Sequence, residues 1–217
     1  MKEKLKHWMI LLRNRWSWSN SIRRCRESTV SIAGNLLGTR IRVTGKSTVV
    51  IAQGCRVRNA RILVRGNDNY LELEAGVKFL GTIELCGDGN TLKIGRESKF
   101  AGAEIIVHGG TTVAIGPGCY ISKGVDIRTT DSHSILNANG EVINPDKDIF
   151  IGERVWLGRM VSVLKGARIQ RGSVIGTMSL VTGTIPAGVI AAGVPARTIR
   201  EHISWDKRKP GREGGLP

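Results

Sequence analysis

Four histidines occur in the chain, and one of them, His133, stands in the run Arg128-Thr129-Thr130-Asp131-Ser132-His133-Ser134. An imidazole titrates near neutrality, so a histidine in such a polar turn suits taking up and returning a proton. Asp131, two residues earlier, either holds that imidazole in one tautomer or is an Asx-turn residue. In the second case His133 is a surface histidine bonded to turn backbone. Catalytic zinc would need three protein ligands and an open position. His108 is the only other histidine away from the termini, and Cys25, Cys55, Cys86 and Cys119 contain no C-x-x-C pair. No metal is therefore expected.

Such groups need a support, and the sequence shows it as a period of six. From Ile151 every sixth residue is aliphatic: Leu157, Val163, Ile169, Ile175 and Val181 follow. The fifth place of each hexad holds a small or β-branched residue, from Val155, Val161 and Ala167 to Ser173, Ser179 and Ile185. Neither a helix of 3.6 residues per turn nor an alternating strand has this period. The beat appears upstream with pauses, as Ile51, Val57, Leu63; Leu73, Phe79, Leu85; Ile94, Phe100, Ile106; and Ile115, Ile121, Ile127, with Gly, Asn and Asp clusters between the triplets. Three short strands per coil predict an all-β, parallel β-helix of hexapeptide repeats, a triangular prism with these aliphatic residues stacked inside. Coils stack at ~4.8 Å. Cys55 and Cys119, three coils apart, would then be ~14 Å apart, too far for a disulfide.

The beat breaks once, between Ile127 and Ile151, which predicts a loop over 134–148 extruded from a rigid coil, with Asp131 and His133 at its entrance. The expected organisation is a basic amphipathic segment over 1–29, the β-helix over 30–190, and a cap with a basic tail over 191–217. Leu5, Trp8, Met9, Leu12 and Trp16 stand at helical spacing. They suit a helix that caps the coil, contacts another copy or lies on an anionic membrane surface. Short helical appendages are thus expected at both ends.

Composition removes other classes. The 28 glycines among 217 residues come with 41% apolar residues, which is neither collagen nor a disordered linker. The net charge of +15 invites a nucleic-acid partner. Residues 1–29, however, hold eight basic against two acidic side chains and 196–217 six against three, leaving the centre mildly basic with 19 against 13. No arginine tract interleaved with aromatics runs through that centre, so nucleic acid is not expected as a partner. No segment approaches the ~20 apolar residues of a membrane span. The short run Trp8–Leu12 has no cleavage site after it, so a cytoplasmic location is expected, with peripheral membrane contact through the tails.

Ile151–Arg159, the hexads to Val181-Thr182, and Ala191–Glu201 resemble the hexapeptide-repeat acetyltransferases. Thr130–Ile135, the extruded loop, Val155-Trp156-Leu157-Gly158-Arg159 and Trp205 are most similar to enzymes that O-acetylate sugars and capsular polysaccharides, including sialic-acid capsules. The resemblance implies a left-handed coil and a homotrimer with its sites between adjacent prisms. It implies His133 as general base, acting on a sugar hydroxyl that attacks acetyl-CoA directly, and Trp156 as a wall of the site. Gly158, Arg159, Thr177 and Thr182 would meet the pantetheine arm, and Arg197 and Arg200 the CoA phosphates. Other acceptors of the same chemistry are serine, a nucleotide-linked amino sugar or an antibiotic. A non-catalytic scaffold at the membrane is the reading from a different class.

Overall fold

The computed structural model describes residues 19–207, and every regular element among them is a β-strand. The predicted N-terminal helix lies outside the described residues. The first three strands, Ser21–Arg24, Thr29–Ile32 and Asn35–Leu37, make one coil, and each later coil adds one parallel strand to each of three sheets. Sheets A and B have eight strands and sheet C nine. The chain passes from A to B to C in every coil, so the prism has A–B, B–C and C–A corners. Coiling begins at Ser21, which pairs with Arg40, so the 1–29 segment expected to stand apart overlaps the first coil.

Every aliphatic residue of the regular series from Ile151 to Val181 is buried, and so is every fifth-place residue from Val155 to Ile185. Cys55 and Cys119 are buried free thiols, pushed up to about 11 by burial, which leaves them unreactive.

Two expected core residues face outward instead. Ile62 and Val64, and Ile105 and Val107, fill the interior in place of Leu63 and Ile106. Sheet A strands from the second coil to the fifth are five or six residues long, and present two inward positions in Arg61–Arg65 and three in Ala103–His108. A hexad count that lands one residue off selects the opposite face. Register partners in sheet A step by 21 or 22 residues from Arg40 to Asp126, and by 18 from Ser162 to Leu180. The first step is 19 residues, so the coils are longest in the middle of the prism and shortest at its end.

A buried polar ladder climbs the A–B corner. Ser47 Oγ donates to the Gly66 carbonyl, and Asn69 Nδ2 to the Gly87 carbonyl at 2.8 Å. The Asn90 backbone N–H and side-chain amide both donate to Asn69 Oδ1 at 2.9 Å. Gly110 N–H donates to Asn90 Oδ1, and Thr111 Oγ1 to Thr129 Oγ1 at 2.8 Å. Side-chain amides thus bond the turn groups that strand pairing cannot reach. Asn90→Leu orphans several of them at once and is expected to lower unfolding free energy by about 3 kcal/mol. Urea unfolding with an unchanged slope checks this.

The C-terminal end is not helical as expected. Ala196–Arg200 runs back antiparallel to Ile190–Gly193 and covers the last strand of sheet C. Gly193 and Pro195 break a helix there, and a strand satisfies the open edge that a helix would leave unpaired. Beyond it the chain descends the B–C corner. Ile203 N–H donates to the Gly188 carbonyl, and Trp205 Nε1 donates to the Arg154 carbonyl at 2.7 Å.

Candidate functional site

The coil opens at one place on the A–B corner. The chain leaves after the sheet A strand Val125–Arg128, and Lys147 N–H bonds back to the Thr129 carbonyl at 3.1 Å before the sheet B strand Ile149–Ile151 begins. The excursion is itself a hairpin. Leu136 and Val142 form an antiparallel bridge, Ile143 N–H donates to the Ile135 carbonyl, and Asn137 Oδ1 accepts from the turn. Its four large apolar side chains, Ile135, Leu136, Val142 and Ile143, are each more than half exposed.

His133 stands exposed at the base of this hairpin. Buried Thr130 accepts the Ser132 N–H at 3.0 Å, and Ser132 takes a φ of 67°, a left-handed conformation uncommon for serine. That turn sets the direction in which His133 leaves the corner. The Asp131 carboxylate bonds Lys165 Nζ and, at 2.8 Å, Asn144 Nδ2. Asn144 also donates to the His133 carbonyl at 2.9 Å and accepts the Ile135 N–H at 2.6 Å, while Lys165 Nζ reaches the Asn144 carbonyl. Asp131 therefore fastens the two limbs of the hairpin, and its recorded bonds go to Lys165 and Asn144 and not to the imidazole. The Lys165 and Asn144 contacts hold its carboxyl below the usual carboxylate range, so it stays ionised throughout neutral pH.

His108, one coil below, is turned to the hairpin's returning limb, with Nδ1 3.2 Å from Asp146 Oδ2. Among the described residues no group of three or more His, Cys, Asp and Glu side chains gathers as a metal site, and no helix is long and apolar enough to cross a membrane.

The other predicted residues lie elsewhere on the prism. Trp156 is outward on sheet C, in register with Tyr120 below and Val174 above. Its Nε1 is 3.4 Å from Ser122 Oγ, and its ring meets Trp205 at 5.9 Å between centroids. Arg154 lies 5.8 Å from the Trp205 ring and donates to the Trp205 carbonyl. Gly158, Arg159 and Thr177 share the C–A corner. A Cβ on Gly158 would come within 2.7 Å of the Thr177 nitrogen, so the next coil alone requires a glycine there. Thr182 belongs to the A–B corner, while Arg197 and Arg200 are exposed on the capping strand of sheet C.

One chain thus brings together His133, Asp131 and Thr182 on one corner, and Gly158, Arg159 and Thr177 on another, with Trp156 on the adjoining face. Lys165 and Asn144, which hold the His133 turn, were not singled out from sequence. The register Asp126–Ser162 places Lys165 directly above Thr129, an equivalence of 36 residues that the inserted hairpin conceals.

No family model matches the chain. A polysialic acid O-acetyltransferase of Neisseria meningitidis is 33% identical over 143 residues, which cover 64% of this chain and 66% of that protein. A galactoside O-acetyltransferase of Escherichia coli K12 is 39% identical over 121 residues, 55% of this chain and 58% of that one. In both, the match spans less than two thirds of the relative's own length. Among solved structures, the polySia-specific acetyltransferase NeuO is similar with a TM-score of 0.81 and 29% identity, over 90% of this chain and 92% of that one.

Proposed function

The chain belongs to the hexapeptide-repeat acetyltransferases of left-handed β-helix fold, and from that premise we propose that it transfers the acetyl group of acetyl-CoA to a hydroxyl of a sugar or of a sialic-acid-containing, cell-surface polysaccharide. The observation that carries this reading is His133, exposed and held at the foot of the hairpin by Asp131, Asn144 and Lys165 in a chain with such relatives.

His133 accepts the proton of the acceptor hydroxyl as its oxygen attacks the thioester carbon. The new C–O bond forms, the C–S bond breaks, and the imidazolium returns its proton to the departing CoA sulfur. Transfer is direct, in a ternary complex, with a backbone N–H stabilising the oxyanion. Asp131 is a positioning residue that acts through Asn144 on the His133 backbone. Trp156, backed by Trp205, walls the site. Gly158, Arg159 and Thr177 follow the pantetheine arm, Thr182 borders it from the His133 corner, and Arg197 and Arg200 meet the CoA phosphates, where guanidinium geometry fits.

Sheet C lies across the prism from the A–B corner, so His133 and Trp156 of one chain face opposite ways. They can flank one substrate only where the A–B corner of one copy meets sheet C of the next. The bare apolar hairpin supports the same arrangement, because a patch of four large aliphatic side chains suits burial against a neighbouring copy. This geometry supports a closed ring with one site at each contact, and the resemblance makes that ring a homotrimer with three equivalent sites.

Thiol release from acetyl-CoA tests the activity. Release stimulated by oligosaccharides, and by acidic ones above serine, nucleotide-linked amino sugars or aminoglycosides, is the expected result. Release stimulated by none of these acceptors, together with no binding of CoA, would reduce the chain to a scaffold.

A further inference from the structure

The outer face of sheet A in the first three coils carries a grid of arginines. Arg23 and Arg42 are register neighbours, as are Arg40 and Arg61, and Arg65 completes the third strand beside Thr44. All five are exposed, and they line a groove of about 640 Å³. Arg65 pairs with Glu84; the other four make no ion pair among the described residues. Like charges in register on neighbouring strands, ~4.8 Å apart with no acid between them, cost stability. The positive face has an edge. From the fourth coil upward Glu84, Glu104 and Asp126 answer Arg65 and Arg128. Sheet B presents Thr29, Ser31, Thr48 and Val50 in the first two coils, and Tyr70 and Glu72 in the third. Sheet C also stacks cations, with Lys78 in register between Arg56 and Lys99, but the sheet A arginines are the ones that line a groove.

We propose that this groove is a binding site for an acidic polysaccharide chain, separate from the His133 corner and holding the acceptor's carboxylates away from the reacting hydroxyl. Guanidinium forks match carboxylates two bonds at a time. A parallel sheet holds them at fixed spacings of ~6.6 Å along a strand and ~4.8 Å across strands, so little order is lost on binding. Leu63 faces outward between Arg42 and Glu84 yet is only 7% exposed, and it gives the groove an apolar floor for the faces of sugar rings. No aromatic side chain lines the groove to stack a base, which separates this site from a single-strand nucleic-acid channel. A concave groove also fits a strand better than the plane of a bilayer.

The site rests on the acidic-acceptor reading above, and its test does not depend on turnover. Labelled polysialic acid and its carboxyl-reduced neutral form are titrated by fluorescence anisotropy without acetyl-CoA, against wild type and the triple variant Arg40→Ser, Arg42→Ser, Arg61→Ser. Affinity for the acidic chain is expected to fall at least tenfold in the variant and to depend less on salt. The neutral chain binds both proteins as weakly as the variant binds the acidic one. Thermal unfolding of the variant is unchanged or raised, since repulsion is removed, and turnover of a short neutral acceptor is retained. Equal affinity of variant and wild type for the acidic chain overturns the site while leaving the acetyltransferase reading intact. Arginine-dependent binding without any acetyl transfer upholds the site and removes that reading. Single-stranded DNA binding as tight as the glycan, or anionic vesicles captured in its place, also overturns it.

Discussion

His133→Ala is expected to lower kcat by about 10²–10⁴, the range that a positioned general base supplies, while leaving the melting temperature and the affinity for CoA near wild type. Stability is spared because the side chain is exposed and the turn is held through the His133 backbone carbonyl, which Asn144 reaches whatever the side chain is. Cofactor affinity is spared because, Thr182 excepted, the residues proposed for CoA lie on the C–A corner and sheet C, apart from His133. Thiol release with and without acceptor separates the outcomes. Acceptor-stimulated release that survives the substitution would remove His133 as the base and leave desolvation and orientation as the source of rate. A parallel loss of stability would instead show that the side chain belongs to the knot of Asp131, Asn144 and Lys165.

Two inactive proteins are expected to restore one another. His133→Ala and Trp156→Ala copies, unfolded together and refolded at equal ratio, should recover roughly one quarter of wild-type turnover, since a random closed trimer joins an intact His133 corner to an intact Trp156 face at that share of its contacts. Each variant refolded alone stays at its own low level. A site contained within one chain gives no recovery at any mixing ratio. The same experiment run with Ile135→Ser and Ile143→Ser added to both partners should lose the recovery, because the hairpin then no longer has an apolar surface to bury. Sedimentation of that protein should show a single chain.

The period of six was readable because the interior of a narrow prism tolerates one residue size at one spacing; Leu157 and Ser173 could hardly be exchanged. The hairpin was readable as the place where that spacing fails, and His133 as the one histidine beside the gap. Leu63 and Ile106 misled because early sheet A strands are long enough to hold two or three inward positions, so a count of six drifts onto the outer face. The C-terminal strand was missed because only the open edge of sheet C demands it, and an edge is a property of the assembled coils. Lys165 reaches Asp131 across 34 residues, a separation set by the hairpin's length and by nothing near either residue. The arginine face was hidden for a related reason. Arg40, Arg42 and Arg61 are scattered in sequence, and summing charge over the centre averaged them with acids that the coil places on higher strands.

The ladder of the A–B corner and the strand pairing on every face share one consequence: each coil touches only the coil below and the coil above. Arg61 lies three sheet A strands below Asp126, which is ~14 Å along the prism. That separation is quantised. Gain or loss of one whole turn between them would slide the guanidinium grid by ~4.8 Å relative to the imidazole and leave both local geometries untouched. On the two readings proposed above, the prism is a ruler with fixed graduations, on which the number of turns, and no individual side chain, sets how far from its point of attachment a polymer is modified.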